Sequence, residues 1–395
     1  MKAQRSNTSK ILELLQSGRS ENIDLAFQLC VGLQGNYSQE VADVLRKDIK
    51  RCLDYELEIA YLEALTTVDM PILILKEIPT WVGRLKGLQK LNLADNYIEE
   101  LSPELSQLTQ LKELNLGNNH LRKIAPHIDQ LTQLQRIYLY KNRLTSLPAE
   151  FQYLQRLKYL NIESNRFFTF PNSILKLTQL ESLVLQYNLL KKIPNKIEEL
   201  TQLKFLNLGG NQFGKCPREI GALPRLESLS LYSNQFDDIP DEIWAMTSLK
   251  YLLAYDNLLQ GQLPTDVGQL KNLIRLNLSR NKYRYLCPEI GALTELTTLE
   301  LQNNQLQEIV PEIGQLKSLK ILQLSNNQLT ALPEEVGDLE NLEILNIANN
   351  QLRRLPKSLA KLTNLKSLHA QNNQFSDRRK RKIQKLLPQV QIINL

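Results

Sequence analysis

The sequence LQKLNLADNYIEELSPELSQLTQ, residues 88–110, decides the fold because twelve further versions of the same pattern follow it. The period is 23 residues throughout, except for one unit of 24. A fixed period of this size is typical of a solenoid built from stacked coils. The units begin at Leu88, Leu111, Leu134, Leu157, Leu180, Leu203, Leu226, Leu249, Leu273, Leu296, Leu319, Leu342 and Leu365.

Every unit carries an asparagine eight residues after its first leucine. An amide side chain has both donors and an acceptor, so it can satisfy backbone groups that a turn buries. The column therefore predicts a ladder that ties each coil to its neighbour. Its members are Asn96, Asn119, Asn142, Asn165, Asn188, Asn211, Asn234, Asn257, Asn281, Asn304, Asn327, Asn350 and Asn373.

The two halves of each unit have different periodicities. The LxLxx segment alternates apolar and polar positions, which predicts a short strand with one buried face. The second half, such as LPAEFQYL at 147–154, spaces apolar residues three apart after a proline, which predicts one helical turn on the outer side. No unit can bury its apolar face alone, so the coils are stable only as an array.

The consensus LxxLxLxxNxLxxLPxxIxxLxx resembles the pattern of the leucine-rich repeat family over residues 88–375. Its LPxxIxxL half resembles the Ras-group type found in cytoplasmic scaffold proteins of plants, animals and bacteria. The resemblance implies an α/β fold: a right-handed solenoid, or horseshoe, with a parallel concave sheet and helical end caps. The 24-residue unit resembles the LxGxLP variant of plant proteins, and Gly261 there would accommodate an unusual backbone angle. The alternative is a tolerated surface insertion.

The ends of the chain depart from the repeat. Residues 1–64 form a helical region, with Ser20 and Ser38 as predicted helix caps, which either covers the first coil or acts as a separate binding module. Residues 65–375 are the repeats, of which 65–87 is a degraded unit with Leu73 at the asparagine position. Residues 376–395 are predicted to form the closing cap. The basic run 378–382 is a solvated face of the capping helix, a polybasic anchor or a nucleic-acid patch.

Charge and cysteine usage indicate the compartment. The net charge is +6, of which residues 376–395 contribute +5, leaving 42 basic and 41 acidic residues before them. A nucleic-acid groove is therefore not expected. No segment has 18 consecutive apolar residues, and MKAQRSNTSKILELL lacks the apolar core of a signal peptide. The four dispersed cysteines favour buried free thiols, so we expect a cytoplasmic protein without stable membrane association.

No catalytic motif emerges from the sequence. The three histidines have no cysteine or histidine at metal-ligand spacing, and no phosphate-binding, dinucleotide-binding, HExxH or GxSxG motif fits its required context. Carboxylate pairs fall on the predicted outer turns without a partner cleft. We therefore expect no catalytic residue, metal or cofactor, and no enzyme.

The repeat also predicts which residues line the concave face, at positions two, four and six after the first leucine. Repeats three to eight are rich in aromatic residues there, whereas repeats ten to twelve have none. Tyr and Arg commonly anchor interfaces, although Tyr also simply suits an exposed strand. The predicted partner-binding residues are Arg136, Tyr138, Tyr140, Lys141, Tyr159, Glu163, Tyr187, Phe205, Tyr232, Tyr251, Tyr255 and Asp256.

Taken together, these features predict a scaffold or adaptor that binds a protein partner on repeats three to eight and is a monomer or weak oligomer. Two alternatives stay open. The first alternative to the scaffold is the recognition half of a bacterial effector or regulator whose catalytic activity lies on another chain. The second alternative is a structural spacer.

Overall fold

The computed structural model describes the backbone of residues 2–395 and the side chains of residues 7–395. The first six side chains of the amino-terminal segment considered above lie outside it. One short strand per coil builds a parallel sheet of fifteen strands that follows chain order. A separate parallel pair, β10 and β12, lies beside it.

Neighbouring strands of the main sheet align one repeat apart, so that Leu91 pairs with Leu114 and Leu114 with Ile137. The strands are β1 (Thr67–Asp69), β2 (Lys90–Asn92), β3 (Glu113–Asn115), β4 (Arg136–Tyr138), β5 (Tyr159–Asn161), β6 (Ser182–Val184), β7 (Phe205–Asn207), β8 (Ser228–Ser230), β9 (Tyr251–Leu253), β10 (Gln260–Gln262), β11 (Arg275–Asn277), β12 (Lys282–Tyr285), β13 (Thr298–Glu300), β14 (Ile321–Gln323), β15 (Ile344–Asn346), β16 (Ser367–His369) and β17 (Ile392–Asn394).

The apolar strand positions form one continuous core along the solenoid. Leu91, Leu93, Leu139 and Leu185 are 0–1% exposed. Their polar neighbours on the same strands are half-buried or exposed, because successive side chains of a strand point to opposite faces. The alternation seen in the sequence therefore separates a face of the sheet that packs on the core from an accessible concave face.

The outer half of the coils is 3-10 helical, apart from one short α-helix, α6 (Asp241–Trp244). Pro148 lies just before its helix, at the N-cap rather than inside the first turn, and its carbonyl accepts the amide of Phe151 at 3.2 Å. The 3-10 segments are Thr80–Arg84, Pro103–Gln107, Pro126–Gln130, Ala149–Tyr153, Asn172–Lys176, Asn195–Glu199, Arg218–Ala222, Thr265–Gln269, Pro288–Ala292, Pro311–Gln315, Glu334–Asp338 and Lys357–Lys361.

Asn188 illustrates how the asparagine column joins two coils. Its Oδ1 accepts the amide of Phe167 at 3.2 Å, and its Nδ2 donates to the carbonyl of Ile162 at 3.0 Å, both in the preceding coil. The same Nδ2 also donates to two carbonyls of its own coil, those of Leu185 at 3.0 Å and Gln186 at 3.3 Å. The amide thus satisfies backbone groups that the turn removes from water.

The residue before each column asparagine adopts a left-handed backbone. The side chains that occupy it are mainly Asn, Asp and Ser, which tolerate this conformation, and Gly210 holds it once at φ +61°. Ile72 holds the equivalent place in the degraded unit at φ +59°, and Ile74 has the same φ two residues later. Since β-branched residues seldom adopt positive φ, this unit carries strain that the regular units avoid.

The amino-terminal region contains the helices α1 (Lys2–Gln16), α2 (Ser20–Gly32), α3 (Gln39–Leu45), α4 (Ile49–Asp54) and α5 (Ile59–Glu63). Ser38 caps α3 by accepting the amide of Val41 at 3.4 Å. The prediction that Ser20 caps α2 is wrong, because Ser20 is itself the first helical residue. Its hydroxyl instead accepts a hydrogen bond from Arg51 Nη2 at 2.7 Å, which joins α2 to α4.

The long unit contains one strand of the second sheet. Gly261 adopts φ +81°, as the sequence led us to expect, and lies on β10. β10 pairs in parallel with β12 of the next coil, where Tyr283 is buried. Pairing on this side of the solenoid was not predicted, because β10 has no buried apolar residue that would reveal it as a strand.

The carboxyl-terminal segment closes the last coil. Helix α7 (Asp377–Leu386) packs on the 3-10 helix Lys357–Lys361 of the twelfth repeat, and its Ile383 is buried. β17 then pairs with β16, so that Leu368 lies opposite Ile393. The final strand covers a sheet edge that would otherwise present unpaired backbone groups.

Candidate functional site

The predicted partner-binding residues lie on strands β4 to β9 and on the turns that directly follow these strands. Eleven of the twelve are exposed or half-buried on the concave side. The exposed ones are Lys141, Tyr187, Tyr251 and Asp256, and the half-buried ones are Arg136, Tyr138, Tyr140, Tyr159, Glu163, Phe205 and Tyr255.

Tyr232 is the exception, because only 8% of it is exposed. Its ring stacks on that of Tyr255 with centroids 4.7 Å apart and planes 2° from parallel. Its hydroxyl donates to Gln186 Oε1, two coils away. The prediction that Tyr232 is an accessible partner-binding residue is therefore wrong, because stacking and this hydrogen bond hold its ring against the neighbouring coils.

Glycines in the preceding coil make room for these rings. A Cβ added to Gly117 would lie 2.2 Å from the ring of Tyr140, and one added to Gly209 would lie 2.4 Å from the ring of Tyr232. The rings therefore lie flat over backbone where a side chain would otherwise stand. Gly-Tyr spacing of one repeat was the sequence signal for this packing, and it was overlooked.

A smaller aromatic group lies at the amino-terminal side of the surface. Tyr138 and Tyr159 contact each other with centroids 4.9 Å apart, and Tyr140 is on the same face. Burial raises the pKa of the Tyr138, Tyr140 and Tyr159 hydroxyls above the usual value. The three phenols therefore stay neutral and can act as hydrogen-bond donors around neutral pH.

Tyr187 is the most exposed aromatic of the surface, with 52% of it accessible. It occupies the left-handed position of its coil at φ +55°, which is unusual for a bulky residue. Its ring contacts the place where Gly210 of the next coil lacks a side chain. It also meets Tyr232 edge-on, with centroids 6.3 Å apart, so packing holds the strained conformation.

The charged residues of the surface are partly paired within the sheet. Arg136 contacts Glu113 at 2.8 Å, and Asp256 accepts the hydroxyl of Ser233 at 2.8 Å. A further row alternates in sign, with Glu181 between Lys158 at 3.1 Å and Lys204 at 2.9 Å. Hydrogen bonds from both lysines lower the pKa of Glu181. The concave side therefore presents neighbouring charges of opposite sign rather than a basic groove.

The later repeats present a plainer surface. Ser325 and Ala348 are buried there, although their positions were expected to line the concave face. Glu300 contacts Arg275 at 2.8 Å. The corresponding positions of this half are Thr298, Glu300, Gln302, Ile321, Gln323, Ser325, Ile344, Asn346 and Ala348, none of them aromatic.

The cysteines and histidines do not converge on a site. Burial raises the pKa of Cys30 and Cys287 to about 11 and that of Cys52 and Cys216 to about 12. These four thiols are free. Over the part of the chain that is described, no group of three or more His, Cys, Asp and Glu side chains is arranged to hold a metal ion. Among residues 2–395, no helix has the length and apolarity needed to cross a membrane.

Comparisons with family models identify the repeat. A model described as a leucine-rich repeat region matches residues 188–310 and 302–388. Two further leucine-rich repeat models match residues 109–167 and 86–129. A comparison with curated protein sequences finds no match.

Solved structures give the same result. The chain is similar to a leucine-rich repeat protein of Leptospira interrogans, with 35% identity, a TM-score of 0.73, and coverage of 85% of this chain and 97% of that one. An internalin of Listeria monocytogenes has 26% identity, a TM-score of 0.66 and coverage of 85% and 88%. The ectodomain of an Arabidopsis thaliana membrane receptor kinase, in complex with Casparian strip integrity factor 2, has 27% identity, a TM-score of 0.66 and coverage of 81% and 42%.

Proposed function

The chain belongs to the leucine-rich repeat family, and from that premise we propose that it is a non-enzymatic scaffold or adaptor that binds a protein partner. The family is generally an interaction fold rather than an enzyme fold. The proposed binding surface is the concave sheet of repeats three to eight.

The observation that carries this proposal is the cluster of accessible aromatic rings on adjacent strands. Tyr187 and Tyr251 are exposed, and five further rings are half-buried, whereas the matching positions of the later repeats carry none. Large aromatic side chains contribute most of the binding energy in many interfaces, since they bury much area with little loss of conformational freedom.

The dimensions of the surface suit a protein partner. Parallel strands lie about 4.8 Å apart, so six repeats span roughly 25 Å, which matches a standard-sized interface. Tyr232 lies over Gly209 and contacts Tyr187 and Tyr255, and Tyr140 and Tyr251 lie on the same side of the sheet. A helix or an extended loop would fit along such a face.

Charged residues at the edge of the surface are proposed to orient the partner. Lys141 and Asp256 are exposed and Glu163 is half-buried. Exposed charges are screened by water and salt, so they affect association rate and orientation more than affinity. Truncation of Lys141 should therefore change the salt dependence of association more than the dissociation rate.

A cytosolic setting is part of the proposal. The four cysteines are buried and free, and they are dispersed along the chain, which suits a reducing compartment. Fractionation of the source cells with an antibody against the chain would test it, and recovery outside the cytosol would contradict it.

Paired substitutions test the concave site. A pull-down from the source organism first identifies a partner, and Tyr140→Ala combined with Tyr251→Ala should then weaken its binding by about 2 kcal/mol or more, roughly 30-fold. Tyr232 is left intact, because its removal would also remove the ring on which Tyr255 stacks.

The matched control is Thr298→Ala combined with Gln323→Ala, at half-buried positions of the plain half. Calorimetry with the purified partner should give near-native affinity for this pair. A control pair that lost affinity while the tyrosine pair kept it would show that the site lies elsewhere.

A further inference from the structure

Positive charge is concentrated at the carboxyl-terminal end of the solenoid. Residues 344–395 contain eleven Lys or Arg and one Asp, a net +10. Residues 1–343 contain 37 Lys or Arg and 41 Asp or Glu, a net −4. The two values sum to the +6 of the chain, so its modest net charge conceals a strongly polarised molecule. Such a field attracts acidic partners to one end.

Part of this charge surrounds a small cleft between the twelfth repeat, residues 342–364, and helix α7. The cleft has a volume of about 220 Å³. Its apolar residues are Leu355 and Leu386, both half-buried, and Ile383, which is buried. Its exposed basic residues come from both elements and are Arg354, Lys357, Arg379 and Lys382.

The four basic residues of the cleft are electrostatically unsatisfied. None of them lies within 4 Å of a carboxylate in the described part of the chain. The charge of Arg354 contributes to lowering the pKa of Glu334. The Glu334 carboxylate, however, accepts a hydrogen bond from the Ser358 amide at 3.1 Å and not from Arg354. The cleft therefore offers four free cations around an apolar floor.

We propose that this cleft binds an acidic protein segment that inserts one apolar side chain between α7 and the twelfth repeat. Charge complementarity selects the acidic flanks, and a recess of this size suits a single side chain rather than a whole small molecule. The surface is separate from the concave sheet and provides the chain with a second contact region.

A membrane surface and a nucleic acid fit the cleft less well. Membrane insertion requires apolar side chains that project into the lipid, but Ile383 is buried and Leu355 and Leu386 are half-buried. Single-stranded nucleic acid is held by stacking on aromatic rings, and no aromatic residue lines the cleft. Both remain as outcomes of the test.

The probe is a fluorescein-labelled peptide in which two leucines are flanked on each side by three acidic residues. Its twin has alanine in place of the leucines. Binding to the full chain is measured by fluorescence anisotropy at low salt. The leucine peptide should bind about tenfold more tightly than its twin, because only leucine fills the apolar recess.

Two double variants on helix α7 distinguish binding in the cleft from nonspecific attraction by the overall positive charge. Arg379→Gln with Lys382→Gln removes two charges that line the cleft, whereas Arg378→Gln with Arg381→Gln removes two exposed charges outside it. We expect about tenfold weaker peptide binding for the first pair and less than about threefold for the second. Tyr140→Ala with Tyr251→Ala should leave peptide binding unchanged, which separates this site from the concave surface.

The proposal is overturned by equal weakening in the two helix variants, or by equal binding of the two peptides. It is also overturned if phosphatidylserine vesicles or a single-stranded oligonucleotide compete fully for the cleft while the leucine peptide shows no preference over its twin. Circular dichroism melts of each variant show whether the fold is intact, since all four substituted residues have exposed or solvent-facing head groups.

Discussion

Replacement of Asn188 by leucine tests the physical basis of the repeat. The Asn188 side chain is buried and makes four hydrogen bonds to backbone groups, two of them in the preceding coil. Leucine has a similar size but no polar atom. The substitution therefore removes the hydrogen bonds while leaving most of the packing in place.

The cost follows from which backbone groups lose their last partner. The carbonyl of Ile162 keeps the Nδ2 of Asn165 at 3.1 Å, and that of Leu185 keeps the Nδ2 of Asn211 at 3.1 Å. The amide of Phe167 has Asn188 Oδ1 as its acceptor and would be left buried without one. An orphaned buried donor costs about 1–3 kcal/mol, and the weakened carbonyls add to it. We therefore expect a loss of about 2–3 kcal/mol.

Two measurements check the expected loss. Urea unfolding followed by circular dichroism should show a lower midpoint, and hydrogen exchange should show the Phe167 amide losing protection together with adjacent coils. Because repeat arrays need not unfold in one step, the local exchange rate is the sharper readout.

Asn172→Leu is the matched control, since Asn172 is exposed on the outer turn of the coil before Asn188. Its free energy of unfolding should stay within about 0.5 kcal/mol of that of the native chain. Equal midpoints for Asn188→Leu and the control, with Phe167 still protected, would refute the ladder as a source of stability.

Four further predictions concern strain and burial. Ile72→Asn should raise the free energy of unfolding, measured with urea, by about 1 kcal/mol, because Asn tolerates φ +59° and Ile72 is 74% exposed, so little burial is lost. Gly261→Ala should lower it by about 1 kcal/mol, because φ +81° strains any residue with a Cβ even though the space around it is open. In the folded chain, iodoacetamide at pH 8 should label none of the four thiols, as counted by mass spectrometry. Burial raises the pKa of the Cys30, Cys52, Cys216 and Cys287 thiols from 9 to about 11 or 12. The stability of the fold should therefore be constant below pH 9 and fall as the pH approaches 11, because deprotonation favours the unfolded chain. Equal melting temperatures at pH 8 and pH 10.5 would contradict this prediction.

The sequence by itself determined the features that depend on residues within one repeat. The spacing of Leu88, Leu91 and Leu93 predicts the strand and its buried face, because alternation in a strand is a local property. Thirteen repetitions then make the solenoid the one way to bury every apolar face at once. The left-handed position before each column asparagine was equally visible in the sequence, since mainly Asn, Asp and Ser occupy it, although it was not predicted.

The tertiary structure alone decided what depends on neighbouring coils. Tyr140 and Tyr232 both lie six residues after the first leucine of their repeat, over a glycine of the preceding coil, but only Tyr232 is buried, because Tyr255 stacks on it and its hydroxyl donates to Gln186. The β10–β12 pair and the basic cleft likewise combine residues that lie more than twenty positions apart. Contacts between coils depend on the size and orientation of side chains one repeat away. A pattern read along one repeat contains no information on such contacts, because they form only when the coils stack.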